Sequence, residues 1–383
     1  MKKVDVVAAL DSFKGALSSR EAGLAFRRGF LLRNPGAAVT VLPVGDGGEG
    51  TADALLSATC GERIQRIVSD SHGAPVSAEA GFLPGNVRRA VFDMAAVAGI
   101  RMAAAHGYDL LRSTTRGVGE LIRSLIAEGV DEILIGLGGS GTSDGGIGAL
   151  SALGVRFFCE DGSELTDPRT GDLGDVARAD FTDAWRLLGG VRLTLLCDAA
   201  VPLTGPAGAV RMFSRQKGAT EEMVPHLEEA MGRYAAVICR DAGADVISIP
   251  GAGAAGGLGF GLAAVGGVLT DGASAVLEAV GAAEAMECAS LVVTGEGKTD
   301  AQTAKGKLPL AVARLAKRVR PDLPVVCLCG IAEPTPELYK EGIDAVLSIA
   351  DRPMSAEESM ARTAELIEKT AFSLAGLFPA SGT

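Results

Sequence analysis

Cations, aromatics and histidines are all scarce in this chain of 383 residues. Its 36 Lys and Arg stand against 47 Asp and Glu, aromatics make up 4% with one Trp and three Tyr, and there are three His. The net charge of −11 argues against a nucleic-acid or anionic-membrane surface, because both need clustered Lys and Arg. Seven cysteines, an odd number without a CxxC spacing, argue against a disulfide framework or a metal knuckle. Cys327 and Cys329 would share one face of a strand as buried free thiols, and a reducing, cytosolic compartment fits best. Uninterrupted apolar runs are missing too. Between Asp5 and Asp11 lie only five apolar residues, too few for a signal-peptide core. The 25 residues 246–270 carry no charge, but eight are glycine and one is Pro250, so a buried strand–loop–helix is expected there rather than a membrane span.

Glycine is what the chain has in excess: 52 residues, roughly twice the usual share of about 7%. Much of the backbone must therefore turn tightly or approach something closely. The apolar content of 48% and charged content of 22% are those of a globular protein, and the length suggests two domains. Short β-branched runs alternate with helical stretches, the pattern of an α/β protein with a mainly parallel sheet. Residues 4–10 read as a strand, Ser18-x-x-Glu21 as a capping box opening a helix, and Asn34-Pro35-Gly36 as its stop. A strand at 39–44, a glycine-rich turn and a helix ending near Gly61 follow. Late strands are expected at 291–294, 325–329 and 345–349, with helices around 308–318 and 356–376. The five strands make one doubly wound, flavodoxin-like sheet over 1–61 plus 286–383. Residues 62–285, with strands near 89–94, 131–137, 154–159 and 191–197, are expected to form a second α/β domain inserted into the first.

Glycines and acids cluster directly after these strands. Asp11-Ser12-Phe13-Lys14-Gly15 follows the first, Gly45-Asp46-Gly47-Gly48-Glu49-Gly50-Thr51 the second, and Thr294-Gly295-Glu296-Gly297-Lys298-Thr299-Asp300 the strand at 291. Open α/β sheets bind ligands at the carboxyl ends of their strands, so the three loops should share one edge. The inserted segment adds Gly138-Gly139-Ser140-Gly141-Thr142-Ser143-Asp144-Gly145-Gly146. Backbone N–H groups, hydroxyls, two lysines and several carboxylates are the inventory for a Mg-polyphosphate. Singly, each loop could equally be a tight turn with a helix-capping acid. Cys197-Asp198 ends another strand, and Arg215 and Lys217 precede a helix start at Thr220, a place that suits a phosphate or a carboxylate. Three other patterns are weaker. Gly297-Lys298-Thr299 lacks the earlier glycine of a Walker A motif, having Val292 there. Gly251-Ala252-Gly253-Ala254-Ala255-Gly256, read as following a strand, with Asp271 further on, is a fair but isolated dinucleotide signal. Gly141-Thr142-Ser143-Asp144-Gly145 matches the hydrolase elbow, yet only His226, in an amphipathic surface stretch, lies downstream to serve as base.

The segments DSFKGALSS (11–19), GDGGEGT (45–51), GLGGSGTSDGG (136–146), GPAGAVRMFSRQKGAT (205–220), PGAGAAGGLG (250–259) and TGEGKTDAQTAKGK (294–307) resemble, in the same order, the bacterial type I glycerate kinase family. The pattern departs at Leu10, Gly45, Gly141, Ser143 and Lys298, all neighbours of the key acids. The resemblance implies a discontinuous Rossmann-like domain with an inserted second domain, an active site in the cleft between them, and ATP and Mg²⁺ as the phosphoryl donor and its cation. It implies phosphorylation of D-glycerate to 2-phosphoglycerate. Transfer to the 3-hydroxyl, or a non-catalytic phosphosugar- or nucleotide-binding sensor, stands as the alternative. Asp46 is the first choice of base and Asp198 the second, with Lys14 facing the transferring phosphoryl group. Glu296 and Asp300 are the expected Mg²⁺ ligands. Gly138, Gly139, Ser140, Thr142, Ser143 and Asp144, with Gly295 and Gly297, are the expected phosphate and nucleotide cradle. Asp11, Ser12, Arg215 and Lys217 are assigned to the substrate. A cytoplasmic protein without nucleic-acid or membrane partners is expected, and a homodimer stays open.

Overall fold

The computed structural model describes residues 4–198, 200–300, 303 and 307–378. Fourteen strands are present among the described residues: β1 (Asp5–Leu10), β2 (Ala38–Val41), β3 (Glu62–Ser69), β4 (Pro75–Leu83), β5 (Arg89–Asp93), β6 (Glu132–Gly136), β7 (Arg156–Phe158), β8 (Glu164–Leu165), β9 (Arg178–Asp180), β10 (Arg192–Cys197), β11 (Val268–Asp271), β12 (Leu291–Thr299), β13 (Val325–Ala332) and β14 (Ala345–Ser348). The chain divides into two units. One takes residues up to Asp46, Asp53–Thr59 and the chain from Ala273 onward; the other takes Gly47–Ala52 and Cys60–Gly272. Residues 273–285, expected with the inserted segment, cluster with the first unit, where the helix Ala282–Glu287 packs on the helix Leu308–Val319.

The first unit is a five-stranded sheet of order β14-β13-β12-β1-β2 with every pair parallel. Its central strands are apolar runs, as a parallel sheet covered on both faces requires. The capping box forms: the Ser18 N–H donates to the Glu21 carboxylate at 2.9 Å, and the Glu21 N–H returns to Ser18 Oγ at 3.3 Å. The helix it opens, Ser19–Arg33, buries Ala22, Phe26 and Phe30 beside Leu366 and Ile367 of the helix Thr363–Ala375. Truncating either phenylalanine to alanine would cost about 3–5 kcal/mol. The two helices approach so closely that a Cβ on Gly29 would collide with the Glu368 carbonyl. Ser19 Oγ donates to the Leu10 carbonyl at 2.6 Å and accepts the Val44 N–H at 2.8 Å. That one hydroxyl fixes the starts of the segments carrying Asp11 and Asp46.

The second unit is a six-stranded sheet of order β11-β10-β6-β5-β4-β3. It is parallel from β5 to β11 and antiparallel from β3 to β5. Phe92, Leu121, Ile122, Ile133, Ile135 and Tyr234 lie in its core. The strand expected near 154–159 is β7, which stays out of this sheet and pairs antiparallel with β8 and β9 in a separate one. The β3–β4 hairpin lies outside the expected set of strands. Residues 246–249 form turns rather than a strand, with the Ala252 N–H closing on the Ile249 carbonyl at 3.0 Å. The GxGxxG run therefore has no strand leading into it. Its glycines serve packing instead: Gly256 has φ +67°, a Cβ there would strike the Thr142 carbonyl, and its own carbonyl accepts the Gly145 N–H at 3.0 Å. His226 is exposed on the helix Met223–Ala242. No helix among the described residues is long and apolar enough to cross a membrane.

Candidate active site

In the first unit the chain leaves β1 toward β2 on one side and β12 toward β13 on the other, so the strand order reverses between β1 and β12. A crevice is expected outside the carboxyl ends of strands at such a reversal. A cavity of about 610 Å³ is found there, lined by Asp11, Ser12, Lys14, Asp46, Glu296 and Gly297, among others. The Asp11 N–H donates to the Gly295 carbonyl at 2.9 Å, carrying the β1–β12 ladder one residue further, and the Ser12 N–H donates to Asp11 Oδ1 at 2.7 Å. Asp11, Asp46 and Glu296 are 8%, 6% and 6% exposed, and three carboxylates are seldom so buried without a cationic partner. Burial, and then the charge of Asp46, push the Asp11 carboxyl up to about 7 against the opposing pull of the Ser12 N–H and Lys14. Burial raises Glu296 as well, offset by Thr303 Oγ1 donating to Oε1 at 2.6 Å and by Lys307 Nζ at 3.9 Å from Oε2.

Where the late strand ends differs from expectation. β12 runs on to Thr299 because its pairing with β13 continues to Ala332, so Gly295 and Gly297 are strand residues rather than loop residues. Gly295 lies inside the sheet, where a Cβ would meet the Leu328 carbonyl. Asp300 follows the strand; its carboxylate is 3.5 Å from Lys298 Nζ, which also pairs with Glu333 at 3.0 Å. Residues 301, 302 and 304–306 of the motif read there lie outside the described residues. Lys298, noted in the sequence as a loop lysine and a departure from the family pattern but given no role, and Lys307, not singled out there, line the same cavity. Their signal was present in the sequence, as the cations on either side of the Asp300 turn.

The loop after β6 belongs to the second unit. Gly138 accepts a close backbone neighbour, its N–H donating to the Gly47 carbonyl at 3.2 Å, and Gly139 has φ +74°. Lys217 is buried, and its Nζ donates to the Thr142 carbonyl at 2.6 Å and to Ser140 Oγ at 2.7 Å. Its amine is thus engaged by the loop itself, whereas a substrate carboxylate was expected as its partner. Asp144 is also directed inward. It accepts from the Thr115 N–H at 2.7 Å, Thr115 Oγ1 at 2.8 Å and the Gly146 N–H at 3.0 Å, and burial raises its pKa. Thr142 Oγ1 and Ser143 Oγ are buried without a hydrogen-bond partner among the described residues. Arg215 is exposed and engaged locally, by the Glu221 carboxylate at 2.7 Å and the Arg211 carbonyl at 2.8 Å. Asp198 is an exposed bend residue after β10. Asp93, which the sequence reading passed over at the end of its expected strand, accepts the N–H groups of Gly50 at 2.8 Å and Ala52 at 3.1 Å and so fixes the GDGGEGT loop.

An open parallel sheet with buried acids and lysines at its reversal point, in a chain that also carries a glycine- and hydroxyl-rich loop, defines an α/β enzyme of the phosphotransferase class. The chain belongs to the glycerate kinase family, whose model matches residues 6–378. It is 41% identical over 372 residues to the glycerate kinase of Bacillus subtilis (strain 168), covering 97% of this chain and 96% of that one. It is 38% identical over 346 residues to the glycerate 2-kinase of Escherichia coli (strain K12), covering 90% of each. Its fold matches the crystal structure of a chain provisionally described as glycerate kinase 2 from Salmonella typhimurium LT2, with a TM-score of 0.85, 37% identity and 98% of both chains covered.

Proposed function

We propose that this chain transfers the γ-phosphoryl group of ATP to the 2-hydroxyl of D-glycerate, giving ADP and 2-phosphoglycerate. The observation that carries the reading is the meeting of three buried carboxylates with Lys14, Lys298 and Lys307 in one cavity at the strand reversal, in a chain of this family. Phosphoryl transfer asks a protein chiefly for positioning and charge neutralisation, with a base for the hydroxyl proton. Asp46 takes that proton, and Lys14 supplies positive charge where the transferring group becomes most negative. Asp11, with a carboxyl near 7, is placed to hold a substrate hydroxyl as donor or acceptor.

No group of three or more His, Cys, Asp or Glu among the described residues is arranged to hold a metal ion. The donor set nevertheless fits Mg²⁺, which takes one or two carboxylates and completes its octahedron with water and phosphate. Glu296, with Asp300, would hold it, and the bound ion would neutralise phosphate charge. The seven cysteines are all free, which supports a reducing compartment and, in this reading, the cytoplasm. The test is incubation with ATP, Mg²⁺ and D-glycerate, the product being identified by phosphorus NMR. A 2-phosphoglycerate resonance with stoichiometric ADP is expected; no ADP above the enzyme-free control would sink the proposal.

A further inference from the structure

The cavity of the first unit is far larger than a three-carbon acid needs. At about 610 Å³ it falls in the range of pockets that enclose a drug-sized ligand, roughly 300–1,000 Å³. Its lining is also of two chemistries. Residues from the ends of β1 and β12 are charged. An apolar wall comes from later in the chain: Ile331 at the end of β13, beside Lys298 in the ladder, Ile349 after β14, Pro353 and Met354 in the segment that follows, and Met360 on the helix Ala356–Ala361, its Sδ 3.7 Å from where a Cβ on Gly15 would lie. Ile331 and Met360 are large apolar residues left 51% and 47% exposed, and exposed apolar groups gathered in a concave site mark a ligand surface.

This wall is built rather than loose. The Ile349 N–H donates to the Cys329 carbonyl at 2.9 Å, and Asp351 is held by Arg362 at 3.1 Å and Lys369 at 2.9 Å. Ser355 Oγ caps the next helix by accepting the Glu358 N–H at 3.1 Å, and Glu358 holds Arg352 at 2.6 Å at the rim. A flat apolar group against methionine thioethers, tied to an anionic tail reaching lysines, is the chemistry of a purine nucleotide.

We propose that the nucleotide is held by the first unit alone, its base against Ile331, Met354 and Met360 and its phosphates toward Lys298 and Lys14, so that the 138–146 loop is not needed to bind it. The identity of the nucleotide as ATP rests on the kinase reading above; the placement of its base rests on the wall.

The experiment titrates the full chain with mant-ADP and Mg²⁺ and displaces the probe with ATP. Met360→Asp and Met354→Asp should each weaken mant-ADP by about tenfold or more and raise KM for ATP, with KM for glycerate within about twofold. Ser140→Ala should leave mant-ADP affinity unchanged. Photolabelling of the wild type with 8-azido-ATP should mark a peptide within 349–360, which guards against variants that fail to fold. Unchanged mant-ADP affinity in both methionine variants, loss of it in Ser140→Ala, or labelling of 138–146 would overturn the proposal. Absence of glycerate turnover in the wild type would overturn the kinase reading instead, since the binding measurements need no acceptor.

Discussion

Lys217 Nζ donates to the Thr142 carbonyl at 2.6 Å, so a buried amine holds the backbone of the glycine-rich loop from beneath. Burial pushes that amine from 10.5 down to about 7, with the Asp144 charge pulling the other way. Between those values the unfolded chain binds the proton that the folded chain has released, so this group makes stability rise with pH from about 7 to 10. Lys217→Met should lose that slope. Urea unfolding at pH 7, 8 and 9 checks it, and parallel curves for variant and wild type would refute it. Lys217→Arg should not restore wild-type stability, because a guanidinium cannot shed its proton in a buried site.

Asp11 has the opposite sign. Its carboxyl titrates near 7 when folded and near 3.8 when not, so the folded state holds the extra proton in between and stability falls as pH rises through that window. Asp11→Asn should therefore be more stable than the wild type at pH 8, by up to roughly 4 kcal/mol, and about equal to it near pH 4. Thermal melts without ligand at both pH values decide the matter; a variant less stable at pH 8 would refute the assignment.

Lys14 and Asp46 line one cavity. Removing transition-state charge costs about 10²–10³ in kcat, and removing a general base about 10²–10⁴. Lys14→Met and Asp46→Asn should each lower kcat on that scale, with ATP affinity changed much less for Asp46→Asn. The double variant should lose far less than the product of the single losses. If Asp46→Asn keeps near-normal kcat, the base lies elsewhere and Asp198 is next to be tested.

Glu296→Gln should raise the Mg²⁺ concentration needed for half-maximal activity, and Asp300→Asn should do so less, because Asp300 already faces Lys298. Identical Mg²⁺ titrations for both variants and the wild type would remove the pair from the cation site. Should Glu296 instead serve only to anchor Thr303, the loss would appear in the melting temperature.

Much of the fold was legible because its signals are local. The capping box at Ser18, the apolar runs of β1 and β13 and the glycine–acid clusters at strand ends are all written in neighbouring residues. β3 escaped notice because it alternates poorly: Glu62, Arg63 and Arg66 face solvent or ion-pair partners, Arg63 with Glu79 across the hairpin. The apolar run at 246–249 misled because Pro250 and its turn bonds outweigh its β-propensity. Glycines report that something comes close without reporting what. At Gly256 the visitor is the Thr142 carbonyl, not a ligand. Nor can spacing say whether a lysine points outward, which is why Lys217 read as a carboxylate ligand. The apolar wall around Met354 and Met360 was out of reach because only the folded chain brings residues 331–360 to the same cavity as Asp11 and Lys14, hundreds of residues earlier.

The pairing of β1 with β12 also sets a timetable. Asp5 and Ser290, which meet at the start of that ladder, are 285 residues apart. At the usual elongation rate of about 5–20 residues per second, β1 leaves the ribosome roughly 15–60 s before its partner exists. Through that interval it is an apolar strand with β2 on one edge and no neighbour on the other, whereas the six-stranded sheet can close as soon as β11 emerges. Misfolding of a nascent chain should therefore concentrate in residues 5–41, the stretch a holding chaperone would be expected to cover.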